Sequence, residues 1–254
     1  MRLILFVFIS LLGPVAFAVD CVTISGRVTD YDGRAVDSCN VMLYNPDFSV
    51  AYEAVSDSAG CYSIEGVAKG DYACVYAMRI KEYPRMQQVA PEDMRLEFWA
   101  WNVIADRDIR LDIRYDKLEL YGTTAFYEYG GRGELLIYTR PMSVTKVLAY
   151  DNYQDKAMAE KECKVTVAPE YMDFEVYADG RQLKVMSVQP LSLTNSNGNA
   201  QNDDCYLLQT ELPAELRRRP GQPCEIRVVG HNRQYDEWGE SVYYLRPFSY
   251  RRGE

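Results

Sequence analysis

The chain of 254 residues carries a single histidine, and acid–base chemistry would be sought first around it. His231 lies in Val228-Val229-Gly230-His231-Asn232-Arg233, close to Tyr235, Asp236, Glu237 and Trp238. A histidine beside a carboxylate can act as a general base. No serine or cysteine nucleophile context accompanies this one, so a solvated hairpin between Val229 and Val242 accounts better for the segment. Asp203-Asp204 and Asp236-Glu237 are paired carboxylates, but neither stretch has the ligand spacing of a calcium loop. The lack of a CxxC pair, together with one histidine, argues against a zinc site. The sequence thus assigns no catalytic residue, no cofactor and no metal ligand.

Aromatic side chains offer a different chemistry. There are 21 tyrosines and three tryptophans. Trp99 and Trp101 share one face of a strand because side chains alternate with period two. With Trp238 and Tyr243 they form a candidate platform on which a sugar ring could stack, flanked by Asp, Asn and Arg. Aromatics also dominate β cores, and packing of two thin sandwiches and their junction is the simpler role for the same rings.

The first 18 residues, MRLILFVFISLLGPVAFA, combine one basic residue, an apolar run, a Gly-Pro break and a small-x-small end. That is a cleavable export signal, too short to span a bilayer comfortably. The mature chain is then 19–254, expected in the periplasm or at the cell surface, with no later transmembrane segment. Cys21 follows the cut closely, but Asp20 stands where a lipid-attachment signal needs a small residue, which argues against lipid anchoring. A net charge of −9 repels phosphate backbones, so nucleic acid is not an expected partner. Seven cysteines in an exported chain invite disulfides and leave one over. Cys205 and Cys224, on apparent neighbouring strands, are the candidate pair; buried thiols acting as small hydrophobes remain the alternative.

The elements that must position these groups are strands. Val22, Ile24, Gly26 and Val28 alternate with polar neighbours. Further strands are expected near 39–43, 51–55, 61–64, 72–78, 96–103 and 109–113, with a longer loop over 82–95. The spacing of roughly ten residues with Gly/Asp punctuation is that of an all-β sandwich. A boundary is placed near Tyr115. Beyond it strands are expected at 118–121, 133–138, 144–150, 165–167, 173–177, 182–188, 206–210, 224–229 and 241–245. Ala178-Asp179-Gly180-Arg181 is a hairpin turn, residues 154–162 favour a short helix, and 191–204 read as a polar loop.

Five motifs occur in order in the first half: Gly26-Arg27-Val28-Thr29-Asp30-Tyr31-Asp32-Gly33, Val41-Met42-Leu43, Ser56-Asp57-Ser58-Ala59-Gly60-Cys61-Tyr62, Gly70-Asp71-Tyr72 and Asp108-Ile109-Arg110-Leu111. On these, residues 22–114 resemble the carboxypeptidase regulatory-like domain, a prealbumin-like sandwich. The resemblance implies an appendage domain of secreted and outer-membrane proteins, common in Bacteroides-like bacteria; some relatives of the fold bind sugars and many only space other domains. With one histidine, the catalytic domain of a zinc carboxypeptidase is not expected. A related family of pilus sandwiches forms internal Lys–Asn cross-links, but the first-strand position here is Arg27, whose guanidinium is not a usable nucleophile.

The expected architecture is therefore all-β, with two tandem sandwiches over 19–114 and 115–254, the second Ig-like or related with a short helix. The expected role is a non-enzymatic exported protein that binds or scaffolds, its partner an envelope protein or a glycan. A glycan-binding accessory protein using the aromatics, and an enzyme with its site in 115–254, are the alternatives.

Overall fold

The computed structural model describes residues 20–127, 134–150, 155, 164–194, 200–211 and 222–246. The first half comprises β1 (Cys21–Thr29), β2 (Asn40–Tyr44), β3 (Val50–Val55), β4 (Cys61–Ala68), β5 (Gly70–Met78), β6 (Phe98–Ala105), β7 (Ile109–Arg110) and β8 (Ile113–Arg114). The second comprises β9 (Leu118–Tyr127), β10 (Glu134–Ser143), α1 (Val144–Leu148), β11 (Met172–Ala178), β12 (Arg181–Leu183), β13 (Val185–Thr194), β14 (Ala200–Glu211), β15 (Cys224–Asn232) and β16 (Glu237–Leu245). The all-β class is as expected.

One sheet runs through both halves. Its order is β12-β11-β15-β16-β6-β5-β2-β3, and the join is a parallel pairing of β16 with β6, Ser241 opposite Trp99 and Tyr243 opposite Trp101. Two four-stranded sheets pack against it: β4-β1 with β7 and β8, and β13-β14-β10-β9. They lie on opposite faces. Phe98, Ala100, Val242 and Tyr244 belong to the first core, together with Ile24 and Ile113 of the first small sheet. Ile226, Val228 and Leu245 belong to the second core, with Leu120, Ile137 and Leu208. Residues 242, 244 and 245 of one strand thus serve two cores, because alternate side chains leave a strand on opposite sides. The expected boundary near Tyr115 falls between β8 and β9, while β16 returns from the chain's far end to complete the first core.

Two glycines permit the closest approaches. A Cβ on Gly26 would meet the Leu111 carbonyl oxygen at 1.9 Å, and one on Gly239 would meet the Leu118 carbonyl oxygen at 1.9 Å. Gly239 lets the start of β9 lie directly on β16 and so sets the seam between the halves.

Several expectations for the second half are corrected. Residues 144–150, expected as a strand, begin helix α1. Strand β10 already ends at Ser143, whose Oγ accepts the Lys146 N–H (3.2 Å) as an N-cap, and buried Glu237 accepts the Thr145 N–H (3.0 Å). The loop expected over 191–204 is largely strand, since β13 and β14 pair from Val185↔Thr210 out to Thr194↔Ala200. Residues 165–167 contribute only a bridge, Met142↔Thr166. The hairpin at Asp179-Gly180 forms with both residues at positive φ, joining β11 to β12. Residues 1–18, expected as an export leader, and nearly all of the helix expected over 154–162 lie outside the described residues.

Candidate functional site

The aromatic residues gather on the face of the long sheet that points away from the first core. Along β6, Phe98 and Ala100 enter that core, so Trp99 and Trp101 take the other side. Strand β5 sets Tyr76 opposite Trp99 and Cys74 opposite Trp101, and β2 adds Tyr44. The two indoles stack on each other, centroids 4.8 Å apart and planes 9° from parallel. Tyr121 of β9 meets both edge-on at 5.6 and 5.7 Å, Tyr76 lies 4.5 Å from Trp99, and Tyr44 touches Tyr76 edge-on. This cluster joins first-half strands to the first strand of the second half.

Beneath it sits an acid pair. Glu119 on β9 is 3 % exposed and accepts the Trp99 indole N–H at 2.8 Å. Glu97, one residue before β6, accepts the Tyr76 hydroxyl at 3.3 Å, and the two carboxyls hydrogen-bond each other. Burial first, then the charge of Glu97, holds the Glu119 carboxyl well above the usual carboxylate range. Burial also raises Glu97, offset in part by its bonds to Glu119 and Tyr76. The arrangement therefore favours one proton held between the two carboxyls. Carboxyls in mutual hydrogen bond are closer than the roughly 5 Å that separates an acid and a nucleophile in a retaining glycosidase. The chemistry this arrangement supports is proton storage in the seam.

The four residues expected to form one sugar platform do not do so. Tyr243 shares the face of Trp99 and Trp101 but packs against the second core. Trp238 stands on the opposite face, stacked on His231 at 4.0 Å and near Tyr31 at 5.9 Å. The reason is alternation: β16 begins at Glu237, so positions 238 and 243 are of opposite phase. Trp99 and Trp101 are adjacent and half-buried, yet each gives one ring face to the other, and a sugar stacks on an open ring face.

His231 forms the end of the β15–β16 hairpin, as expected. Its Nε2 lies 2.8 Å from Asp236 Oδ1 and its ring is covered by Trp238. The side chains of Asp203 and Asp204 are outside those described. Among the described residues, no three His, Cys, Asp or Glu side chains converge on a point where a metal could sit. The candidate disulfide is not formed. Tyr206 and Leu208 of β14 face the second core, where Cys224 also lies, so Cys205 points to the other side of its sheet and rests against the Leu191 carbonyl oxygen (3.4 Å).

Sequence reasoning missed the acid pair. Glu97 shares the odd phase of Trp99 and Trp101, which was the available signal; nothing in Leu118-Glu119-Leu120 marks the glutamate as buried.

Residues 23–95 match the family model of the carboxypeptidase regulatory-like domain, which bears out the resemblance over most of the segment that showed it. No curated protein matches the chain. Among solved structures it is similar to the major pilin subunit BcpA of Bacillus cereus, at 12% identity over 89% of this chain and 69% of that one, TM-score 0.27. A substituted form of that pilin gives 12% identity, 90% and 70% coverage and a TM-score of 0.26. The full-length major pilin SpaD of Corynebacterium diphtheriae gives 8%, 88% and 64%, with a TM-score of 0.25. Overlap at these scores does not extend to a shared assembly or role. Among the described residues no helix is long and apolar enough to cross a membrane.

Proposed function

We propose that this is an exported, non-enzymatic binding or scaffold protein of the bacterial cell envelope, and that its partner is an envelope protein docking on the uncovered face of the first half. The observation that carries this reading is the apolar composition of that face. Around the half-buried rings of Tyr44, Tyr76, Trp99 and Trp101 stand Phe48 (56 % exposed), Val55 (58 %), Val50 (47 %) and Tyr121 (39 %). Among the described residues the second small sheet packs on the seam at β16 and β6 and does not extend over β2 and β3 on this side. Exposed apolar side chains gathered beside an aromatic cluster are a mark of an interaction site. Stacked indoles with one face consumed favour a protein surface over a sugar ring.

The scaffold aspect draws on the shared sheet. A parallel β6–β16 join with a packed sheet on each face makes the two halves one hydrogen-bonded body, suited to holding a partner at a fixed place. The test is capture of envelope components by the 19–254 chain. Capture of one defined protein that is lost in both Val55→Glu and Phe48→Asp, and kept in Arg34→Gln, supports the reading. Capture indifferent to both patch substitutions, or turnover of an envelope polymer by the purified chain, overturns it.

A further inference from the structure

A second surface lies on the other side of the molecule and owes nothing to the aromatic face. The outer side of the first small sheet meets the polar face of β15 and β16 in a re-entrant corner, an open cleft of about 470 Å³. Four arginines line it: Arg27 from β1, Arg110 from β7, Arg114 from β8 and Arg227 from β15. They come from four strands because Val28, Leu111, Ile113 and Val228 enter the cores and their neighbours must point outward. In a chain of net charge −9 this is a local concentration of guanidinium.

The corner is built on a buried carboxylate. Glu240, 2 % exposed, accepts Arg114 Nε (3.1 Å) and Nη2 (2.7 Å) on one oxygen and pairs with Arg227 through the other. Arg227 Nη1 also donates to the Asp112 carbonyl oxygen at 3.1 Å, tying the two walls together. Arg114 is further held over the Tyr31 ring, 5.0 Å from its centroid. Asp112 also lines the cleft, half exposed, and its carboxylate is engaged by the Arg27 backbone N–H (2.9 Å) and the Arg110 guanidinium (3.0 Å). Arg27 gives Nε to the Ala59 carbonyl oxygen at 2.9 Å. Among the described residues this leaves both terminal nitrogens of Arg27, and Nη1 of Arg110 and of Arg114, without a protein acceptor. Arg27 has no carboxylate within ion-pair distance there.

We infer that this cleft is a binding site for an oxyanion-bearing ligand, carboxylate or phosphate, gripped by Arg27, Arg110 and Arg114 while Arg227 and Glu240 hold the geometry. The free pair of terminal nitrogens on Arg27 matches carboxylate or phosphate oxygens bidentately, and Arg110 and Arg114 each add a further charged donor through Nη1. Positions already fixed by wall contacts lose less side-chain freedom when a ligand arrives.

The experiment is calorimetric titration of the 19–254 chain with oligogalacturonate, with sodium polyphosphate and with neutral dextran, at low and high salt. One or both anions bind, dextran does not, and affinity falls as salt rises. Binding of oligogalacturonate alone assigns a carboxylated polymer; binding of polyphosphate alone assigns a phosphate polymer. Arg27→Gln and Arg110→Gln, exposed changes that spare the Glu240 lock, each weaken binding roughly five- to tenfold. Arg34→Gln removes the same charge outside the cleft and leaves it unchanged. Failure of both anions to bind, or equal weakening by Arg34→Gln, overturns the assignment. Val55→Glu and Phe48→Asp leave anion binding intact, so this site and the apolar face succeed or fail separately.

Discussion

Glu119 of β9 and Glu97, immediately before β6, meet carboxyl to carboxyl inside the seam of the molecule, and one proton serves both. The contact links the two halves through side chains, alongside the backbone pairing of β6 with β16. Around it, Trp99 and Tyr76 supply the remaining donors, and the burial of Glu119 denies it the water that would let both groups ionise.

This pair makes stability depend on pH in a definite direction. The folded state holds Glu119 protonated well above its ordinary value near 4.5, whereas the unfolded chain releases that proton there. The folded form therefore binds more protons, and stability falls as pH rises from about 4.5 towards the raised folded value. Other groups facing the pair are Tyr76, Tyr83, Arg85 and Arg140. The tyrosines are themselves pushed up by burial and stay neutral across this window. Glu119→Gln keeps an acceptor for the Trp99 N–H and a donor for Glu97 but carries no titrating proton. Thermal melts between pH 5 and pH 9 are expected to decline more steeply for wild type than for Glu119→Gln, with the variant the more stable at the alkaline end. Parallel pH profiles would show that the pair does not set the slope.

Trp99 and Trp101 stack 4.8 Å apart, close enough for their indole transitions to couple, while Trp238 is on the other face against His231. Trp99→Phe removes one chromophore and the hydrogen bond to Glu119, leaving a buried acceptor unmet at a cost of about 1–3 kcal/mol. Circular dichroism of the wild type is expected to show an indole couplet that Trp99→Phe abolishes and Trp238→Phe preserves. Loss of the couplet in Trp238→Phe instead would contradict the placement of these rings.

The parts of this arrangement that were legible in the sequence are those that each strand writes in its own residues. Alternation along Val22–Val28 and Ile109–Ile113, and the Asp179-Gly180 turn, are local features and appear where expected. The parallel join of β6 to β16 is set by packing between segments far apart in the chain, and no local pattern announces it. Trp238 illustrates the boundary between the two. A strand expected from 241 left its phase undefined; once β16 starts at Glu237, the odd separation from Tyr243 puts the two rings on opposite faces. Helix α1 was missed because Val144, Val147 and Leu148 suit a strand, and its start depends on a carboxylate from Glu237. The arginine cleft was invisible for a similar reason: its four side chains alternate outward on four strands, and only the corner brings them together.

The seam itself can be tested through one glycine. At Gly239 an added methyl would sit 1.9 Å from the Leu118 carbonyl oxygen and 3.1 Å from the Leu118 Cβ. The neighbour in the way is backbone, so relief requires β9 to move off β16, and that shift would also disturb the buried Thr123–Ser241 hydroxyl contact (2.5 Å) and the Thr123–Thr139 contact (2.8 Å). Gly239→Ala is accordingly expected to cost about 3 kcal/mol, the upper range for overpacking a core. Gly70, at the start of β5, has open space where its Cβ would go, so Gly70→Ala should change stability by no more than about 0.5 kcal/mol. Urea titrations of the two variants against wild type make the comparison. If Gly239→Ala unfolds at the same midpoint as Gly70→Ala, β9 does not lie on β16 as closely as this seam requires.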